Sequence, residues 1–206
     1  MKEYTTIQGS NTVEIVIEKS RFIATAIHVD SVEEAQEFIA SKRKKYFDAT
    51  HNCYGYLIGD KAKFSDDGEP QGTAGMHIYE CIKNSKIDHV CVVVTRYFGG
   101  IKLGAGGLVR AYSGSCAESL KSATKVYMTD CTIAEVVVDY SLLKGLRKVL
   151  AGKVVEKEVF WEDKVRLVLL FPTVCFDAIS AIVTENTLGK CSLQQKEQLL
   201  CHYEQK

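Results

Sequence analysis

No stretch of this chain is apolar for long enough to cross a bilayer as a helix. Such a span needs about 20 consecutive apolar residues, and the best candidate, Val90 to Val94, is only a strand's length. The opening residues, Met1-Lys2-Glu3-Tyr4-Thr5, also lack the apolar core of a secretory signal. A soluble, cytoplasmic protein without membrane partners is the expectation. Net charge is missing too: 26 Lys and Arg stand against 26 Asp and Glu. The balance holds locally, with 16 against 15 up to Met128 and 10 against 11 beyond it. A chain so balanced is no bulk polycation, so any polyanion must be met by a local patch. Cys-x-x-Cys spacing is absent as well, although cysteines stand at 53, 81, 91, 116, 131, 175, 191 and 201. Most lie in apolar or small-residue stretches such as Val90-Cys91-Val92. Buried free thiols acting as small hydrophobes explain them better than a disulfide framework does.

What is present suffices for real cores. Of 206 residues, 46% are hydrophobic and 25% charged, a globular composition at a length that suggests two domains. Thr12 to Ile17 alternates as a strand, and Ser20 to Val29 resumes the pattern. Ser31 followed by Glu34 is a capping box ahead of a helix with Val32, Ala35, Ile39 and Tyr46 inward. The basic run Lys42-Arg43-Lys44-Lys45 falls in its last turn, where cations complement the helix dipole. Cys53 to Ile58 has strand character, Met76 to Ile82 suits a helix, and His89 to Tyr97 is the apolar, β-branched run of a strand covered on both faces. Helical spacing returns at Val109, Tyr112, Cys116 and Leu120. Around Met128 to Cys131 the order restarts: a strand over Thr132 to Val138, a helix from Ser141, and a hairpin about Glu162-Asp163. A helix opened by Pro172 and a last strand over Cys191 to Leu200 complete it. This β-α-β-β-α-β order is the ferredoxin-like, or split β-α-β, arrangement.

The segment with the most chemistry runs from Arg96 to Ser113. A buried strand ends, five glycines (Gly99, Gly100, Gly104, Gly106 and Gly107) occur within nine residues, and a helix begins. Glycine permits positive φ and close approach of a ligand to the main chain, and unpaired N–H groups at a helix start attract anions. Arg96, Lys102 and Arg110 add full charges alongside. Gly-Lys-Ser/Thr is missing, so this is no Walker loop, and the dinucleotide spacing Gly-x-Gly-x-x-Gly fails. The competing reading is a tight turn that allows close helix packing. A second group, His51, Asp66, Asp67 and Glu69, brackets the turn-rich Ser65–Gly75 segment. It could supply a carboxylate–imidazole metal site, and His51 with Cys53 could suggest thiol chemistry. Plain turn chemistry is the stronger reading, with Asp66 or Asp67 capping local N–H groups and Gly68 at positive φ. Tyr54, Tyr56, Tyr97, Phe98 and Tyr112 surround both motifs and would either stack on bases or fill the core.

Four motifs in order resemble the bacterial YigZ/Impact family over the whole chain. They are Lys19-Ser20-Arg21-Phe22-Ile23-Ala24, Asp48-Ala49-Thr50-His51-Asn52-Cys53, Ser65-Asp66-Asp67-Gly68-Glu69-Pro70 with Gly72-Thr73-Ala74-Gly75, and Arg96-Tyr97-Phe98-Gly99-Gly100-Ile101-Lys102-Leu103-Gly104. The resemblance implies an α+β protein: an Impact N-terminal domain of the ribosomal protein S5 domain-2-like fold over 1–130, then over 131–206 a ferredoxin-like domain similar to the last domain of elongation factor G. It implies that eukaryotic relatives share the first domain only and act in translational control by competing with an activator of the eIF2-alpha kinase. It brings no catalytic residues, no cofactor and no metal, and suggests nucleic-acid binding. The expectation is therefore a binding protein that engages RNA, the ribosome or a translation factor through Arg96, Lys102, Arg110 and the loop glycines. The alternative is a small-molecule enzyme for a phosphorylated substrate or metal-assisted hydrolysis, working through His51, Asp66, Asp67 and Glu69.

Overall fold

A computed structural model describes residues 3–203, an α+β chain that divides into two compact units, Thr5–Val126 and the remainder of the described residues. The division falls a few residues ahead of the expected 130/131, because the strand expected from Thr132 already begins at Lys125.

β1 (Tyr4–Ile7) straddles the division at Tyr4/Thr5; the first unit then runs β2 (Ser10–Ile17), β3 (Ser20–His28), α1 (Val32–Lys45), β4 (His51–Ile58), β5 (Lys61–Ser65), α2 (Gly75–Asn84), β6 (Val90–Tyr97) and α3 (Gly104–Lys121). Its antiparallel sheet has the order β2-β3-β6-β4-β5. Successive strand side chains point to opposite faces, and both faces of the central strand β6 are covered. Val90, Val92 and Val94 pack with Ile78, Ala111, Tyr112 and Cys116 of α2 and α3. Cys91 and Val93 pack with Ala35 and Ile39 of α1. The uninterrupted apolar run thus has a structural cause. At the start of α1, Ser31 Oγ accepts the Glu34 N–H at 3.1 Å, while the Glu34 carboxylate accepts the Asp30 N–H at 2.9 Å. The reciprocal bond of this capping box is displaced by one residue.

The second unit runs β7 (Lys125–Val138), α4 (Tyr140–Leu150), β8 (Val155–Trp161), β9 (Val165–Pro172), a short 3-10 turn, α5 (Phe176–Asn186) and β10 (Gln194–His202). Four strands of its five-stranded sheet lie in the order β10-β7-β9-β8, each pair antiparallel. Leu143, Leu146 and Leu150 of α4 and Ile179 and Val183 of α5 fill a core against Ala134, Val136, Val138, Leu167 and Leu169. The 3-10 turn Thr173–Cys175 separates Pro172 from α5, so the proline ends a strand instead of opening the helix. All eight cysteines are free thiols. Among the described residues no helix is long and apolar enough to cross a membrane.

Candidate anion-binding cleft

Sheet register builds the site. Phe22 of β3 and His51 of β4 are both direct cross-strand partners of Arg96 on β6. The three form a row across one end of the sheet, on the face that carries α2 and α3, because Arg96 has the same parity as Val92 and Val94. Opposite this row the loop between β5 and α2 is tied down by its own acids. Asp66 accepts three main-chain N–H groups, from Gly72 at 2.8 Å, Ala74 at 3.0 Å and Gly75 at 2.8 Å, so it caps the approach to α2. Asp67 accepts the Asn52 N–H at 2.7 Å and the Arg43 guanidinium at 2.5 Å. Held at both ends, the loop lowers Glu69 onto Arg96.

Arg96 and Glu69 are 5% and 7% exposed, and their side chains meet at 2.7 Å. Glu69 Oε1 also accepts the Tyr112 hydroxyl at 2.7 Å. Burial pushes the Tyr112 phenol far above its usual range, so it stays a donor. The Arg96 guanidinium lies over the rings of Phe22 and Phe98, each at 5.5 Å, and reaches Ser20 Oγ at 3.5 Å. Its Nε is buried without a hydrogen-bond partner. His51 Nδ1 lies 2.9 Å from the Asp67 carbonyl. A carbonyl can only accept, so Nδ1 carries the hydrogen, and in the neutral ring Nε2 keeps its lone pair. That Nε2 stands 3.8 Å from Glu69 Oε2.

The glycine-rich loop closes the other side. A Cβ on Gly99 would stand 2.0 Å from the Lys19 carbonyl carbon, so only glycine lets β6 turn away against the β2–β3 corner. The Gly99 N–H is spent on Ser20 Oγ at 3.1 Å. Gly104 takes φ +69° as the chain enters α3. No side chain caps this 18-residue helix, which leaves its first N–H groups without intrahelical partners. Gly104, Ala105 and Gly106 are exposed, as is Lys102. Between this entrance and the Arg96–Glu69 pair lies a cleft of about 330 Å³, lined by Thr50, His51, Pro70, Phe98, Leu103 and Leu108 besides the charged groups. Arg110 is exposed and folds back along its own helix, its guanidinium 3.7 Å from where a Cβ on Gly106 would stand.

The structure therefore sorts the expected residues. Lys102, Gly104 and Glu69 border one cleft with His51, joining the two motifs that the sequence kept apart. Arg96 borders it too, but its charge is matched by Glu69, and a buried, paired guanidinium has little left for a ligand. Gly99 serves chain packing and Gly100 a turn at φ +86°. Asp66 and Asp67 face main-chain amides and Arg43, not His51 and Glu69 as a ligand set. Among the described residues no group of three or more His, Cys, Asp and Glu side chains is placed to hold a metal ion. The thiol reading also fails. Cys53 is buried and donates to the Asp66 carbonyl at 3.0 Å, and burial pushes its thiol far up, which suppresses the thiolate. Ser20 and Pro70 were missed as site residues, and Tyr112 and Phe98 appeared only as aromatics of undecided role. The signal for Tyr112 was its inward position on α3, but its partner Glu69 lies 43 residues away.

A family model described as the Impact N-terminal domain matches residues 18–120, within the first unit. The IMPACT family member YvyE of Bacillus subtilis is 40% identical over 201 residues, covering 96% of this chain and 93% of its own. The IMPACT family member YigZ of Escherichia coli is 35% identical over 190 residues, 88% of this chain and 92% of its own. A solved structure described as a hypothetical protein superposes with a TM-score of 0.63 at 32% identity, covering 96% of this chain and 98% of that one.

Proposed function

The chain belongs to the Impact family, and on that premise we propose that it is a binding protein of translation or its regulation, holding RNA phosphate at the entrance of α3. One observation carries the reading: an 18-residue helix begins without a side-chain cap at the mouth of a cleft that Lys102 also lines. Such an entrance presents main-chain N–H groups and partial positive charge to an anion. The buried acid nearby does not oppose this, because Arg96 neutralises Glu69 at 2.7 Å. Phosphate contacts of this kind position a strand without reading its bases. Asp66 and Asp67, committed to main-chain amides, weigh against metal-assisted hydrolysis as the alternative.

Binding to ribosomes and to short single-stranded RNAs at two salt concentrations tests the proposal. With Lys102 and Arg110 each neutralising one phosphate, affinity falls about sevenfold between about 50 and 200 mM salt. For Lys102→Gln the fall shrinks to about threefold. Absence of binding to both ligands at the lower salt refutes the reading. Salt-insensitive binding of a translation factor that ignores Lys102→Gln would replace RNA with a protein partner.

A further inference from the structure

We propose that this cleft selects ribose over deoxyribose, with Glu69 Oε2 accepting a nucleotide 2′-hydroxyl beside His51 Nε2; the inference rests on the phosphate-binding reading above. The two oxygens of Glu69 are used unequally. Oε1 takes both available donors, Arg96 Nη1 and Tyr112 Oη, each at 2.7 Å. No hydrogen bond from a described residue reaches Oε2, which faces His51 Nε2 across 3.8 Å. That gap is too long for a hydrogen bond.

His51 cannot readily close the gap, because the Asp67 carbonyl fixes the hydrogen on Nδ1 and leaves Nε2 an acceptor in the neutral ring. With the ring neutral, two acceptors thus face each other on the wall of an open cleft. A ligand that enters the cleft and displaces its solvent must offer a donor there. The donor must belong to a molecule that also places an anion at the start of α3, since Lys102, Gly104 and Ala105 line the same cleft. In an RNA strand the backbone carries one hydroxyl of this kind, the 2′-OH, and it is absent from DNA. The cleft volume of about 330 Å³ lies at the small end of ligand sites. It suits one unstacked nucleotide of a single strand, not a duplex. Phe98, 48% exposed on the rim, offers a ring edge or face to its base.

The experiment compares three single-stranded decamers of one sequence by fluorescence anisotropy at about 50 mM salt: RNA, DNA and 2′-O-methyl RNA. The RNA binds about tenfold more tightly than either of the others, the effect of one hydrogen bond to a charged acceptor. The 2′-O-methyl strand keeps an acceptor oxygen but exchanges the hydrogen for a methyl, so its weak binding shows that the cleft needs the free 2′-hydroxyl. In Glu69→Gln the amide oxygen stays with Arg96 and Tyr112 and the N–H₂ takes the place of Oε2, so the 2′-hydroxyl loses its acceptor and the ratio of RNA to DNA affinity drops to near one. Equal binding of RNA and DNA by the unaltered protein overturns the inference while leaving the phosphate reading intact. Binding of neither overturns both. Circular dichroism establishes that Glu69→Gln is folded; were it not, the three-strand comparison on the unaltered protein decides the matter.

Discussion

Replacing Glu69 by alanine tests the centre of the site most directly. The substitution leaves the Arg96 guanidinium buried, with Ser20 Oγ at 3.5 Å and two aromatic rings as its remaining company. It also removes the acceptor of the buried Tyr112 hydroxyl. Deleting one partner of a buried ion pair costs about 3–5 kcal/mol, because the surviving charge is stranded in a poorly polarisable medium. An orphaned hydroxyl adds about 1–3 kcal/mol, partly counted already because both donors share one oxygen. A working figure is about 4 kcal/mol. The first unit holds about 120 residues, and at about 2.1 cal/mol/K per residue its unfolding entropy is roughly 0.25 kcal/mol/K. The melting transition therefore drops by about 15 °C. Thermal and urea melts followed by far-ultraviolet circular dichroism measure it. The companion Glu69→Leu/Arg96→Met removes both charges, and an apolar pair of similar volume recovers the part due to the stranded charge, leaving a loss of about 1–3 kcal/mol from the orphaned Tyr112 hydroxyl. A loss below about 1 kcal/mol for Glu69→Ala, or a double variant no better than the single one, would refute the argument that a stranded charge is what costs.

The remaining predictions concern the loop, a thiol and acid stability. Gly99→Ala puts a Cβ 2.0 Å from the Lys19 backbone and costs about 3 kcal/mol or more in urea melts, whereas Gly104→Ala meets nothing within 4 Å and costs only the about 1–2 kcal/mol of a left-handed φ. Equal costs at the two positions would contradict this division of labour. Cys53 is unreactive to iodoacetamide at about pH 8 in the folded protein and reacts on denaturation, since burial raises its pKa and holds the thiol protonated; peptide mapping of native labelling reads the result. Glu135 is held below its ordinary pKa of 4.5, chiefly by Lys196 and also by Arg166. Its contribution is thus fully present above about pH 4.5 and is lost as pH falls through the lowered value. Acid titration of Glu135→Gln accordingly shows a shallower loss of stability below about pH 4.5 than the unaltered chain.

Much of the architecture was written in local pattern. The β-branched run Val90–Val94 announced a strand buried on both faces, Ser31 and Glu34 announced a helix start, and the scattered cysteines announced free thiols; each depends on residues close in sequence. The glycine-dense passage into α3 was equally plain, although the helix begins at Gly104, ahead of the periodic residues from Val109, because glycines carry no hydrophobic signal. The early half of β7 was hidden for a related reason: Lys125, Tyr127 and Asp130 break the apolar alternation that marks the strand from Thr132.

What tertiary structure alone decided is where each charge finds its partner. Arg96, Lys102 and Arg110 look alike in the sequence as cations beside a glycine loop, yet one is buried against an acid 27 residues away while the other two stay exposed. Strand parity and cross-strand register set that outcome, by placing Arg96 beside His51 and under Glu69. A chain's order lists its ionisable groups, but their free energies depend on distance and burial in three dimensions, and those quantities exist only once the sheet has closed.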